Sequence, residues 1–258
     1  MDLRRNIAGE GEVISLPRLP EIEGRKTGVH PEITDTRGTT VIAVKYDAGV
    51  VNVGDRRATA NFSVMYDRAE KVLPIDDYTL LAISGSYARA MEVVRYLRHT
   101  FRYFERSQLQ PMSLEGKLAE VAKVVAASLP GALQGIGGFI PVLSTFDRKA
   151  NEGRIFFYDG MGARFESTEF AAAGSGSLQI RGVFDYIVKT RGPFHRMSRR
   201  EALREALLLL GIAADLDAAT GGWSKVFPLA RFISAEGIED VEENELAELI
   251  ADLSAMER

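Results

Sequence analysis

The stretch TDTRGTTVIAVKYDAGVVNVGDRR, residues 34–57, changes character at Gly38. Before that glycine the chain is polar and charged. After it, Thr39 and Thr40 lead into VIAVKY, a β-branched apolar run that predicts a buried strand. Asp47-Ala48-Gly49 is a hairpin signal, and GVVNVGD returns as a second strand. Gly54-Asp55-Arg56-Arg57 then closes it with three consecutive charges, which alone read as a solvated turn. The first strong strand therefore waits for a lead of some 38 residues. Either the lead is an ordinary tail, or the chain is cut at Gly38–Thr39 and the new terminus does chemistry. A cut there would free an α-amine beside a threonine hydroxyl. Such an amine has an ordinary pKa near ~8, so it serves as a base at neutral pH, and a threonine carrying its own amine needs no histidine.

Upstream, residues 1–38 hold Pro17, Pro20 and Pro31, several glycines and many charges, the composition of an extended or disordered leader. Downstream, YTLLAIS (78–84) predicts a buried strand ended by Gly85. The period then changes. Met91, Val94, Leu97, Phe101 and Phe104 recur at helical spacing, and a second helix follows Ser113 with Leu118, Val121, Val124 and Val125 inward. Pro130-Gly131 should bend or end it. Strands return at IPVLSTFD, GRIFFYD and ARFESTEFAAAG, with turns at Asn151-Glu152-Gly153 and Asp159-Gly160. One helix should run from Ser177 to Lys189. Another opens at Ser198, where Glu201 completes a capping box, with Leu203, Leu207 and Leu210 inward. A strand near KVFPLARFIS and a helix in NELAELIADL finish the chain. Runs of antiparallel strands alternating with helix pairs predict an α+β fold, two sheets face to face with helices on both outer faces. Nothing marks a linker after residue 39, so residues 39–258 read as one domain.

Composition narrows the function. The 258 residues are 46% hydrophobic and 26% charged, enough for a core without staples. A net charge of −4 argues against nucleic-acid or membrane-surface binding through bulk electrostatics. The chain has no cysteine, which removes disulfides, thiolate metal sites and cysteine nucleophiles together. His30, His99 and His195 lie far apart, so neither a zinc site nor a serine–histidine triad is expected, and no metal or cofactor is implied. No apolar run is long enough to span a membrane and no secretory signal opens the chain, which makes the cytoplasm the default compartment.

Spacing singles out further residues. Asp55 lies sixteen positions after Thr39, and Lys71 sixteen after that, so hairpins could return all three to one sheet edge. A buried lysine would keep a nearby α-amine neutral, and an aspartate would hold that lysine charged. Gly85, in SGS (84–86), could present a backbone N–H to an oxyanion, and Ser175, in GSGS (174–177), could bond the amine. Glycine–serine turns also cradle phosphates, but no P-loop or complete dinucleotide fingerprint occurs. DAATGG (217–222) has the shape of a cap or turn and could supply Asp217 and Thr220 as further partners.

From Gly38 to the last helix the chain resembles the β subunits of the 20S proteasome, most of all the actinobacterial branch. The resemblance is carried by GTTVIAVKYDAGVVNVGDRRAT, EKVLPIDDY, AISGS, AAAGSGS and DAATGG, in that family's order and near its spacings. It implies the N-terminal-nucleophile hydrolase fold, a four-layer αββα sandwich. It implies a leader, 1–38, removed by autolysis, and a peptidase domain, 39–258. Thr39 would be the nucleophile and its α-amine the base, with Lys71 and Asp55 tuning the pair. Gly85 N–H would stabilise the oxyanion, and Ser175, Asp217 and Thr220 would position the amine. Many family members have serine where Thr220 stands. Ala58, Ala69, Leu73 and Ile83 would line the primary specificity pocket, and Thr59 would pair with substrate as an added strand. Implied partners are other β subunits in two stacked heptameric rings, α-subunit rings, a separate ring ATPase or other activator, and unfolded protein substrates.

Three rivals remain. A non-catalytic ring subunit would usually lack the threonine or the lysine, and both are present. The shorter two-ring bacterial peptidase is too small, since 258 residues less 38 leaves 220. A small-molecule amidase of the same fold would more often carry serine or cysteine at residue 39.

Overall fold

A computed structural model describes residues 38–60, 63–134 and 137–256. Apart from Gly38, the expected leader lies outside them. The hairpin expected in the opening stretch is β1 (Thr40–Tyr46) and β2 (Gly49–Gly54), turning at Asp47-Ala48. Next come β3 (Ala58–Ala60) and β4 (Ser63–Tyr66), which pair only with each other, then β5 (Val72–Asp76) and β6 (Thr79–Gly85). Helices α1 (Tyr87–Gln108) and α2 (Leu114–Leu133) follow, capped by Ser86 and Ser113. Strands β7 (Phe139–Asp147), β8 (Glu152–Tyr158), β9 (Arg164–Ser167) and β10 (Phe170–Gly174) lead to α3 (Ser177–Arg191) and α4 (Arg199–Leu216). The chain closes with β11 (Leu229–Ser234), β12 (Gly237–Asp240) and α5 (Glu243–Met256).

Two five-stranded sheets result, in the orders β10-β1-β2-β11-β12 and β5-β6-β7-β8-β9, with every pairing antiparallel. Side chains of β1 alternate between two cores. Val41 and Ala43 point between the sheets, where Val72, Leu80, Val142 and Ile155 meet them. Ile42 and Val44 point outward onto Ile180, Phe184, Leu203 and Leu207 of α3 and α4. The second sheet repeats the plan, with Leu81, Ile83 and Leu143 packed on Leu97, Leu118 and Val121 of α1 and α2. A strand buried on both faces has no polar side, which is why VIAV carries no alternation. Full burial of each such side chain stabilises by roughly 1.5–3 kcal/mol. The architecture is the expected four-layer αββα sandwich. Among the described residues no helix is long and apolar enough to cross a membrane.

Three expectations change in detail, and a fourth holds. α2 continues through Pro130, whose ring is exposed, and ends within one turn of it at Leu133. The buried face of α1 is rotated: Ala90 and Val93 join Val94, Leu97 and Phe101, while Met91 and Phe104 are only partly covered. ARFESTEFAAAG is two strands, β9 and β10, in different sheets, broken by a bend at Thr168-Glu169. The capping box at Ser198 forms as read: its hydroxyl accepts from Glu201 N–H, and the Glu201 side chain returns to Ser198 N–H.

Candidate active site

Thr39 stands just before β1, and Asp55 just after its partner β2. The register Val41↔Gly54 brings them to the same end of the first sheet, where Asp55 N–H donates to Thr40 O at 3.1 Å. Lys71 precedes β5 and extends its ladder, its carbonyl accepting from Ile83 N–H at 2.8 Å. Spacing brings the three residues together as expected, but not on one sheet edge. Lys71 belongs to the second sheet, and the group closes across the open end of the sandwich.

There Lys71 is almost wholly buried. Its Nζ donates to Asp55 Oδ1 at 2.9 Å, to Gly38 O at 2.8 Å and, closer still, to Arg57 O. Three acceptors are the full complement of an ammonium. Burial nonetheless pulls the lysine pKa below its ordinary value, and the opposing Asp55 carboxylate does not outweigh it. The lysine therefore holds its proton less tightly than in water. Asp55 is saturated in turn: Oδ1 also accepts Thr40 N–H at 2.7 Å, and Oδ2 accepts the N–H groups of Arg57 and Gly221, both at 2.9 Å.

The Thr39 hydroxyl donates to Gly38 O at 2.6 Å, the oxygen that Lys71 also holds. Two donors thus converge on the carbonyl of the bond before Thr39. Gly38 has φ +94°, and a Cβ there would lie 2.3 Å from Thr59 Oγ1 and 3.0 Å from Ala219 O, so only glycine fits. Gly174, with φ +106°, is equally constrained: its Cβ would stand 1.8 Å from Thr39 O. This close approach lets Ser175 N–H donate to Thr39 O at 2.9 Å, with the Ser175 hydroxyl at 3.4 Å.

Ser175, Asp217 and Thr220 are brought together as one network. Both hydroxyls donate to Asp217 Oδ2 at 2.6 Å. Burial alone would raise the Asp217 pKa, but those two bonds, the Ala219 N–H and the Lys71 charge bring it below the usual carboxylate value. Thr220 does not reach Thr39. It meets Thr40, whose hydroxyl accepts Gly176 N–H at 3.1 Å and lies 2.6 Å from Thr220 Oγ1. Because Thr220 donates onward to Asp217, the proton between the two threonines comes from Thr40. Thr220→Val should therefore leave the buried Thr40 hydroxyl without its acceptor, at a cost of about 1–3 kcal/mol in urea unfolding, while Thr220→Ser should cost little.

Two members of the site escape sequence reading. Thr40 looks like a strand opening, yet its hydroxyl is fully buried and locked. Arg57 looks like half of a charged turn. Its carbonyl accepts from Lys71, and its guanidinium donates to Ala218 O at 3.1 Å and Thr220 O at 3.2 Å, which ties β2 to the loop carrying Asp217. A second hydroxyl residue directly after the candidate nucleophile, and a second arginine after Asp55, were the available signals.

Gly85 ends β6 opposite Phe139 and lines a cavity of about 560 Å³ together with Gly38, Thr39, Gly174 and Ser175. Ala58, Ala69, Leu73 and Ile83 are buried and do not line it, and neither does Thr59. They stand on the β3, β5 and β6 side of Lys71.

The amino-acid sequence matches the family model described as proteasome subunit over residues 36–226. It is 38% identical over 219 residues to proteasome subunit beta 1 of Streptomyces avermitilis, covering 82% of this chain and 75% of that one. Identity to proteasome subunit beta 2 of Thermomonospora curvata is 34% over 236 residues, covering 90% and 82%. Proteasome subunit beta of Acidothermus cellulolyticus is 36% identical over 217 residues, covering 81% and 72%.

Proposed function

The chain belongs to the proteasome subunit family, and we propose that it is a catalytic β-type subunit, a threonine endopeptidase made active by its own cleavage at Gly38–Thr39. The observation that carries this reading is the convergence of the Thr39 hydroxyl, at 2.6 Å, and the Lys71 ammonium, at 2.8 Å, on Gly38 O. In the precursor, Lys71 polarises that carbonyl and Thr39 Oγ attacks its carbon. The C–N bond breaks, the hydroxyl proton passes to the departing nitrogen, and an ester joins residue 38 to Thr39 Oγ. Water hydrolyses the ester, releasing residues 1–38 as a carboxylate and leaving Thr39 with a free α-amine.

In the mature subunit that amine takes the Oγ proton as Thr39 attacks a substrate carbonyl, then returns it to the leaving amine. Lys71 keeps the amine neutral by charge, Asp55 fixes the lysine, and Gly85 N–H faces the oxyanion. Ser175 holds Thr39 from the other side, and Asp217 and Thr220 steady Ser175 through the carboxylate that both hydroxyls bond. An extended peptide adds along β3 at Thr59, with its acyl-side residue against Ala58, Ala69, Leu73 and Ile83. All four are apolar, so cleavage follows hydrophobic residues. The subunit works in the cytoplasm within stacked β rings closed by α-subunit rings, and a separate ATPase unfolds the protein substrates.

Intact mass and peptide cleavage, followed together during assembly, test this reading. The mass should fall by residues 1–38 as hydrolysis appears. Assembled particles that cleave peptides with the leader still attached would overturn it. A second outcome concerns Gly38. Gly38→Ala should slow leader loss at least about tenfold, because the methyl group meets Thr59 and Ala219 at a left-handed φ. The mature enzyme made from it should have normal kinetics, since residue 38 has departed.

A further inference from the structure

Arg231 is a buried charge that the proposed chemistry leaves unused. It stands on β11 opposite Asn52 of β2 and Asp240 of β12, and it shares the face of β11 that carries Leu229 and Ile233 toward the second sheet. A buried cation is costly unless it is paired. The outer side of this guanidinium is paired: Nε donates to Asp240 Oδ1 at 2.6 Å, while Nη2 reaches Asp240 Oδ2 at 3.4 Å and lies 4.0 Å from Glu70 Oε2. The inner side makes a different bond. Nη1 crosses to the second sheet and donates to Val72 O.

Val72 is the residue after Lys71. Successive carbonyls of a strand point to opposite edges. Lys71 O turns toward β6 and accepts from Ile83 N–H at 2.8 Å, so Val72 O turns away, and β5 is the edge strand of its sheet. The guanidinium takes the place of the missing strand. The backbone of the lysine is thus held from both sides, by its own sheet and by the facing one. A second polar bond crosses nearby, from Ser144 Oγ to Asn52 Oδ1 at 2.7 Å. Around them the sheets meet through apolar side chains such as Val41, Val50, Leu80 and Val142, whose contacts carry no direction. Lys71 needs direction, because its Nζ leaves its own sheet to reach Gly38 O, Asp55 and Arg57 O.

We propose that Arg231 is a positioning residue for Lys71. Anchored to the first sheet by β11 and Asp240, it grips Val72 O and fixes the gap across which the ammonium meets the Thr39 site. This role presupposes the threonine-peptidase reading and adds to it a residue outside the cleft on which the chemical step depends. A displacement of about 1 Å in a reacting group can cost about a hundredfold in rate. Arg231 does not line the cavity beside Thr39, so its effect on rate comes through the lysine.

The test uses assembled, processed enzyme and a quenched peptide substrate. Arg231→Met keeps the reach of the side chain and removes its donors. It should lower kcat about tenfold and leave KM within about twofold of wild type, because the displaced group acts on the reacting bond and not on peptide binding. Arg231→Lys retains a donor for Val72 O and should recover kcat to within about threefold of wild type. In a Lys71→Ala background Arg231→Met should change the residual rate by less than about twofold, since the group it positions is gone. Asp240→Ala leaves the core untouched and frees the outer side of the guanidinium, so kcat should fall about fivefold at unchanged KM even if the methionine variant fails to assemble. A kcat within about twofold of wild type in Arg231→Met, or in Asp240→Ala where the methionine variant does not assemble, would overturn the role. So would a loss confined to KM, or an equal tenfold fall in the Lys71→Ala background. A wild-type particle that neither sheds its leader nor cleaves peptides would overturn the peptidase reading itself, and this role with it.

Discussion

Lys71→Ala is expected to stop both leader removal and peptide cleavage, with a loss of at least about a hundredfold in rate. The lysine touches the scissile carbonyl of the precursor, the Asp55 carboxylate and the Arg57 carbonyl, so no neighbour duplicates it. The same change strips Asp55 of its counter-charge where the carboxylate is 1% exposed. Breaking a buried pair from one side costs about 3–5 kcal/mol, so a large fall in unfolding free energy should accompany the lost activity. Both effects follow from one deletion, and a purely structural lysine would also produce them together. Added ethylammonium separates the two. Its ammonium can occupy the vacated space and face the same oxygens, and a chemical role predicts saturable recovery of leader loss and cleavage. Recovery of the melting temperature with no recovery of turnover would reduce Lys71 to a structural part.

The opening stretch could be read because its physics is local. A β-branched run, a turn signal and a second such run form a hairpin with little help from elsewhere, and the sequence marked each of the five α-helices among the described residues. What could not be read depended on partners distant in sequence. Ser63–Tyr66 is exposed throughout, so β4 shows no alternation and is a strand only because β3 lies beside it. Pro74 argues against a strand, yet β5 tolerates it as the edge of its sheet. Nothing between Ser167 and Phe170 says that the chain changes sheets there. In the site, Thr39, Asp55 and Lys71 were visible as residue types at suggestive intervals. Their assembly across two sheets was not, because sixteen residues of spacing carry no record of which sheet receives each end. Thr40 and Arg57 were hidden for a related reason: their roles are hydrogen bonds to residues 160 to 180 positions away.

Thr39→Ala should give a folded, assembled and full-length chain whose cleavage rate falls at least about a thousandfold. The fold should survive because the lost hydroxyl bond, to Gly38 O, stabilises by only about 0.5–1.5 kcal/mol. Thr39→Ser sharpens the comparison. It retains the oxygen but frees χ1, which the γ-methyl of threonine restrains, so processing and cleavage should continue at about a tenth of the rate. The adjacent Thr40 cannot take over. Its hydroxyl is bound by Gly176 N–H and Thr220 Oγ1 in a fully buried position. Thr40→Ala should therefore show the opposite pattern, with measurable destabilisation and a nucleophile still present. If Thr39→Ala still lost its leader, or if Thr40→Ala rather than Thr39→Ala abolished covalent capture of a peptide inhibitor, the nucleophile would have to be sought elsewhere in the cleft.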